Sequence, residues 1–184
     1  MTRTELVAIM VLFAVVLIFP QIFSGSYVLT IAIFSGINAI VTMGLCILMG
    51  YAGQVSLGQA GFYGIGAYVS AIMSLRYGMP VVFSTIVAAT VASMAALLLA
   101  IPALRLRGHY LAVATLGFGE IIYIIFNEWG PGGPSGFGNI PHFNIFGMVI
   151  KSPSEYFYLV WIILILLLVF SINLLNSRIG RALR

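Results

Sequence analysis

Glu120 is the residue whose type and position most call for a chemical explanation. It is one of four acidic residues in a chain with no aspartate, and it sits inside the apolar run Tyr110–Phe126. About ten residues at 1.5 Å each place it roughly 15 Å along a helix, near the middle of a bilayer. A charged side chain there costs about 2.5–3.5 kcal/mol on insertion scales, which disfavours a lipid-facing position. Three roles fit it. It is a carboxylate on a substrate path, a proton-coupled site, or a carboxylate hydrogen-bonded to a neighbouring helix. Gly117 lies one turn below it, and Val113, Tyr123, Ile124 and Asn127 extend the same face.

The second feature is the run from Gly50 to Gly66, with six glycines in seventeen residues. It carries a polar trio, Gln54, Ser56 and Gln59. No Gly-Lys-Ser/Thr follows, so it is not a phosphate loop, and neither its spacing nor its context fits a dinucleotide fingerprint. Ala60, Gly64, Ala67 and Ala71 then recur at spacings of four, three and four. On a helix they form one small-residue stripe suited to close packing, with Gly117 as a further packing position. Irregular backbone at membrane depth survives only inside protein or beside a water-filled cavity. Two readings therefore stand: a tight turn followed by a packing face, or a discontinuous helix beside a permeation path.

Other chemistry is sparse. His109 reads as an interfacial residue beside a turn, and His142 has no partner at metal-ligand spacing. No hydrolytic triad can be assembled from two unrelated histidines without aspartate, so no catalytic residue is assigned. The single cysteine, Cys46, excludes an internal disulfide and a multi-cysteine metal site. Asn38 and Thr42 are one turn apart and suit hydrogen bonding between helices.

The elements that must position these residues follow from composition. Of 184 residues, 62% are hydrophobic and 7% are charged, against about 25% charged in a soluble domain. The mean hydropathy is +1.16. These values exclude a soluble globular enzyme, a disordered chain and a nucleic-acid-binding domain. The net charge of +4 comes from dispersed cations, not from a basic stripe. The expected fold is all-α, a polytopic integral membrane protein in the lipid bilayer with about six transmembrane helices. A crossing takes about 20 apolar residues. The candidates are Leu6–Phe23, Val28–Met49, Ala60–Leu75, Val81–Ile101, Tyr110–Phe126 and Tyr156–Leu175. The third and fifth are short and glycine-bearing, which suggests tilted, broken or partial spans.

Six crossings place Arg3, Arg105, Arg107, Arg178, Arg181 and Arg184 on one side, and Arg76 and Lys151 on the other. The positive-inside rule then puts both termini in the cytoplasm. Residues 127–155, with four of seven prolines and six of twenty glycines, form the long outer loop. The first span reads as a retained helix, being long for the apolar stretch of a signal peptide, typically about 7–15 residues. Cleavage near Ser24-Gly25-Ser26 is the alternative.

The stretch from Gly50 to Tyr68, GYAGQVSLGQAGFYGIGAY, resembles the signature of branched-chain amino-acid ABC transporter permeases of the LivM-like kind. A second block, LRLRGHYLAVATLGFGE ending at Glu120, is similar to the same family in order and distance. The element from Gly132 to Gly136, and the closing segment from Asn176 to Arg184, resemble further parts of it. Pro131 stands where a threonine often precedes the glycine pair. His109 stands where family members often carry Asp or an apolar residue.

The resemblance implies one transmembrane permease domain over residues 1–184, truncated before the coupling loop and the later helices of the family. It implies pairing with a second, LivH-like permease and with two cytoplasmic ATPase subunits that bind the ATP. No cofactor or metal is expected in this chain itself. An extracytoplasmic binding protein would deliver the substrate, and the location would be the cytoplasmic (inner) membrane. The expected function is ATP-driven import of branched-chain, hydrophobic amino acids, with Gln54, Ser56, Gln59 and Glu120 as candidates for the path. The alternative is an ATP-independent secondary transporter or channel subunit with Glu120 as its ion or proton site.

Overall fold

A computed structural model describes residues 3–23, 25–103, 105–106, 108–130, 132–145, 148–178 and 180. Ser24, Leu104, Arg107, Pro131, Arg181 and Arg184, which enter the sequence reading above, lie outside the described residues. The chain is helical at each of the six expected stretches. It divides into two compact units, Met1–Gly53 with Lys151–Arg184, and Gln54–Ile150.

The first unit holds α1 (Arg3–Ile22), α2 (Ser26–Gly50) and α6 (Pro153–Asn176). Its core is Val16, Leu29 and Phe157, with Phe19, Ile33 and Trp161 packed against it. Phe19 stacks on Phe157 with ring centroids 5.4 Å apart. The indole N–H of Trp161 donates to the Ala32 carbonyl at 3.2 Å. Glycine makes that crossing of α2 and α6 possible, because a Cβ at Gly36 would stand 2.9 Å from Val160 Cγ1. Ser152 and Glu155 start α6 with a capping box. Glu155 accepts the backbone N–H groups of Lys151 and Ser152, at 2.9 and 3.1 Å. This satisfies donors that a helix start otherwise leaves open. Among the described residues Asn38 and Thr42 do not bridge helices. Each donates to the carbonyl four residues earlier in α2, Phe34 and Asn38 respectively. A short polar side chain finds its own preceding turn closer than any neighbour.

The second unit holds α3 (Gln59–Arg76), α4 (Val81–Ala103) and α5 (His109–Ile124). The pairing of α3 with α4 is the more extensive, and a short connection through Gly78, at φ +62°, joins the two. Ala71, Ser74, Ser84 and Ala88 are buried small residues on these helices. Ser74 and Ser84 donate to carbonyls within their own helix or its start, so the polar atoms are satisfied. The last turn of α5 widens into a π-helical stretch, Ile125–Trp129. A 3₁₀ turn follows at Gly133–Ser135, then a two-residue antiparallel hairpin, β1 (Asn144–Ile145) with β2 (Met148–Val149).

Among the described residues, four helical stretches are long and apolar enough to cross a membrane: Ser26–Gly50, Val81–Ala103, His109–Trp129 and Pro153–Asn176. The apolar part of α1, Leu6–Ile22, is shorter. The fifth stretch is thus not short, because the π turn extends it to 21 residues. The third remains so. Eighteen residues of α3 reach about 27 Å, just under the roughly 30 Å of hydrocarbon. Large apolar side chains such as Leu97, Leu98, Leu166 and Phe170 point outward, as expected where lipid replaces water as the solvent.

Candidate functional site

Between α2 and α3 the backbone is irregular from Tyr51 to Gly58. Its second half, in the second unit, lies along α5. The Leu57 N–H donates to the Thr115 hydroxyl oxygen at 2.9 Å. That hydroxyl donates in turn to the Ala112 carbonyl at 3.0 Å. Thr115 is six residues into α5, so the irregular segment reaches about 9 Å along that helix. Backbone at such depth needs partners from protein, and Thr115 supplies one. Close approach supplies the rest. A Cβ on Gly58 would stand 2.7 Å from the Thr115 carbonyl oxygen. One on Gly61 would meet Phe118 at 3.1 Å and the Gly119 Cα at 3.2 Å.

The sequence candidates are distributed unevenly around this seam. Ser56 is buried at 5% exposure, and Gln54 and Gln59 are half-buried. Glu120 is on α5 but exposed, as are Val113, Gly117 and Ile124 on the same face. Among the described residues no hydrogen bond or ion pair holds Glu120. The small-residue stripe is divided. Ala60 and Gly64 line a groove, Ala67 is exposed, and Ala71 is buried. Gly117 has open space around it within this chain. The close contact with α5 is made by Gly58 and Gly61. Ala60 and Gly61 are neighbours in sequence yet about 100° apart around the helix, and periodicity alone does not say which stripe meets a partner.

The groove lies between α3 and α5 and has a volume of about 380 Å³. Ala60, Gly61, Gly64 and Gly119 form its small-residue walls, with Ile122, Tyr123 and Phe126 from α5 and the π turn. At its far end Tyr68 stacks on Phe126, with centroids 4.1 Å apart and planes 8° from parallel. The Tyr68 hydroxyl donates to the Phe126 carbonyl at 3.4 Å, and Phe137 meets Tyr68 edge-on. Gly133, Pro134 and Gly136 close that end. Glycine is required here by contact. A side chain on Gly130 would collide with the Phe126 carbonyl, and one on Gly132, at φ +109°, would stand 2.6 Å from the Gly136 oxygen. Thr115, at the seam, and Tyr68 and Phe126, at the groove, were not singled out in the sequence reading. Thr115 lies in the block that ends at Glu120, and Tyr68 closes the first block, so the signal was their shared membership.

Among the described residues no three His, Cys, Asp or Glu side chains gather as a metal site. Chemically, the unit offers a small uncharged groove, a buried polar seam at its near end and an exposed carboxylate on an apolar helix face.

The second unit thus combines apolar helices, an uncharged groove and an irregular backbone segment along it. The chain belongs to the family described as the branched-chain amino acid transport system permease component, whose model matches residues 27–184. It is a multi-pass membrane protein. It is 37% identical to the high-affinity branched-chain amino acid transport system permease protein LivM of Escherichia coli, and 38% identical to that of Salmonella typhimurium. Each match covers 83% of this chain and 42% of the relative, so the chain spans less than half the length of these curated relatives. No solved structure shows a significant match.

Proposed function

We propose that the chain forms part of the permease of an ATP-driven ABC importer for branched-chain, hydrophobic amino acids. The observation that carries this reading is the family match from residue 27 to 184, with 37–38% identity to two LivM proteins. The membrane is the cytoplasmic one, with both termini on the cytoplasmic side. A second, LivH-like permease completes the pathway. Two cytoplasmic ATPase subunits bind and hydrolyse ATP, and an extracytoplasmic binding protein docks on the side of the loop that follows Trp129.

Gln54, Ser56 and Gln59 are the polar groups at one end of the path in this reading. The buried position of Ser56 beside the Thr115 seam supports it. Glu120 is a polar group where α5 meets protein or water outside this chain. Its exposure on an otherwise apolar face supports that role, since lipid would penalise the charge.

The test is uptake of radiolabelled leucine by cells expressing the full-length protein with its partner subunits. Uptake is expected to stop on ATP depletion and to survive an uncoupler that leaves ATP intact. The opposite pattern would overturn ABC import and assign Glu120 to proton or ion coupling.

A further inference from the structure

We propose that the groove between α3 and α5 seats the aliphatic side chain of the transported amino acid, with Gly64 on its wall as the position that side chain touches. This rests on the reading of the chain as part of an amino-acid permease.

Size is the first argument. The groove measures about 380 Å³, at the low end of the roughly 300–1,000 Å³ of small-molecule sites. A small amino acid is a ligand of the size such sites take.

Chemistry is the second. Among the described residues no charged side chain lines the groove, and its walls include Ala60, Gly64, Gly119, Ile122, Tyr123 and Phe126. An aliphatic group gains there, while a charged side chain would lose its hydration with nothing in return. The polar groups Tyr68 and Asn127 gather at the opposite end, beside the π turn and the Gly133–Ser135 turn. A π turn departs from the regular α-helical bonding pattern and is frequent at functional sites. The ligand's charged head thus lies toward the loop and its apolar end toward the glycine wall.

Gly64 is the third. Gly61 is held by contact, but a Cβ at Gly64 would find its nearest neighbours, Ile122 Cγ2 and Phe126 Cδ2, at 3.9 Å. That is ordinary contact, so a small side chain fits there and any further atom enters the groove.

The experiment places a cysteine at this position, Gly64→Cys, in the full-length transporter with every native cysteine, Cys46 included, replaced by alanine, assembled with its partners and binding protein. Modification by a small thiol reagent is timed with and without saturating leucine. Leucine is expected to slow it at least five-fold, and lysine less than two-fold. Ala67→Cys, on the same helix but outside the groove, is expected to show no leucine protection. Ala60→Cys, on the groove wall, repeats the test if the Gly64 variant fails to assemble. Failure of both groove thiols to react, equal protection by lysine, or equal protection at Ala67 would overturn the proposal. Leucine uptake by the parent transporter is measured in parallel. Its absence would overturn the permease reading itself, whereas normal uptake with unprotected groove thiols would overturn only the groove.

Discussion

Gly58 of the irregular segment lies close against Thr115 of α5. A Cβ on Gly58 would stand 2.7 Å from the Thr115 carbonyl oxygen, while the Thr115 hydroxyl accepts the N–H of the adjacent Leu57 at 2.9 Å. One threonine thus admits the backbone and satisfies it. Thr115→Val keeps the shape and leaves the Leu57 N–H without its acceptor, a loss of about 1–3 kcal/mol. Gly58→Ala forces the segment away, at about 1–3 kcal/mol. Thermal unfolding of the purified protein in detergent is expected to show a lower Tm for each. The double variant is expected to fall by less than the sum, because the two changes disrupt one contact. Full additivity would show that the seam is not a unit.

Glu120 and Glu155 are both carboxylates near helical backbone, but their surroundings differ. Glu155 holds two N–H groups at the start of α6. Its replacement by alanine is expected to loosen the start of α6, read as a lower Tm in detergent, and to leave uptake near normal. Glu120 is exposed in mid-helix on an apolar face. Glu120→Ala in the full-length protein is expected to lower leucine uptake at least ten-fold at equal membrane abundance. Equal uptake by both variants would remove Glu120 from the path.

Tyr68 joins the π turn to α3 through its stack on Phe126. The stack is worth about 0.5–1.5 kcal/mol beyond the area it buries. The hydrogen bond to the Phe126 carbonyl, at 3.4 Å, is long and adds little. Tyr68→Phe is therefore expected to behave as the parent. Tyr68→Ala is expected to speed limited proteolysis of residues 130–140 several-fold. An unchanged cleavage rate in Tyr68→Ala would show that the stack does not hold the loop.

Gly36 and Gly44 lie on the same helix with opposite surroundings. A Cβ at Gly36 would meet Val160 at 2.9 Å, while nothing lies within 4 Å at Gly44. Gly36→Ala is expected to destabilise the first unit by about 1–3 kcal/mol. Gly44→Ala is expected to be neutral or mildly stabilising, by up to about 1 kcal/mol, since alanine is the better helix former. Detergent melting curves decide between them, and equal effects would contradict the α2–α6 crossing.

The helices were legible because their signals are local. Apolar runs such as Val81–Ile101 and Tyr156–Leu175 became α4 and α6 within two or three residues at each end. The turn chemistry of Gly78 and Pro80 ended α3 and began α4 as read. The π turn was not legible. It shares its sequence with an ordinary apolar helix end, and its stacking contact to α3, Tyr68 on Phe126, joins residues 58 apart in the chain. The same holds for the small-residue stripe. Its spacing put Ala60, Gly64, Ala67 and Ala71 on a line, but the packing partner met the neighbouring line through Gly61.

Sequence alone determined the solvent of this protein, its helices and its family, because composition, apolar length and ordered motif blocks are properties of the chain read locally. Only the tertiary structure decided which glycine touches which backbone, that Thr115 receives the irregular segment, and that Ala60 and Gly64 face a groove. The reason is physical. A glycine is equally compatible with a turn, a packing face or an open wall, and the choice rests on what stands across from it.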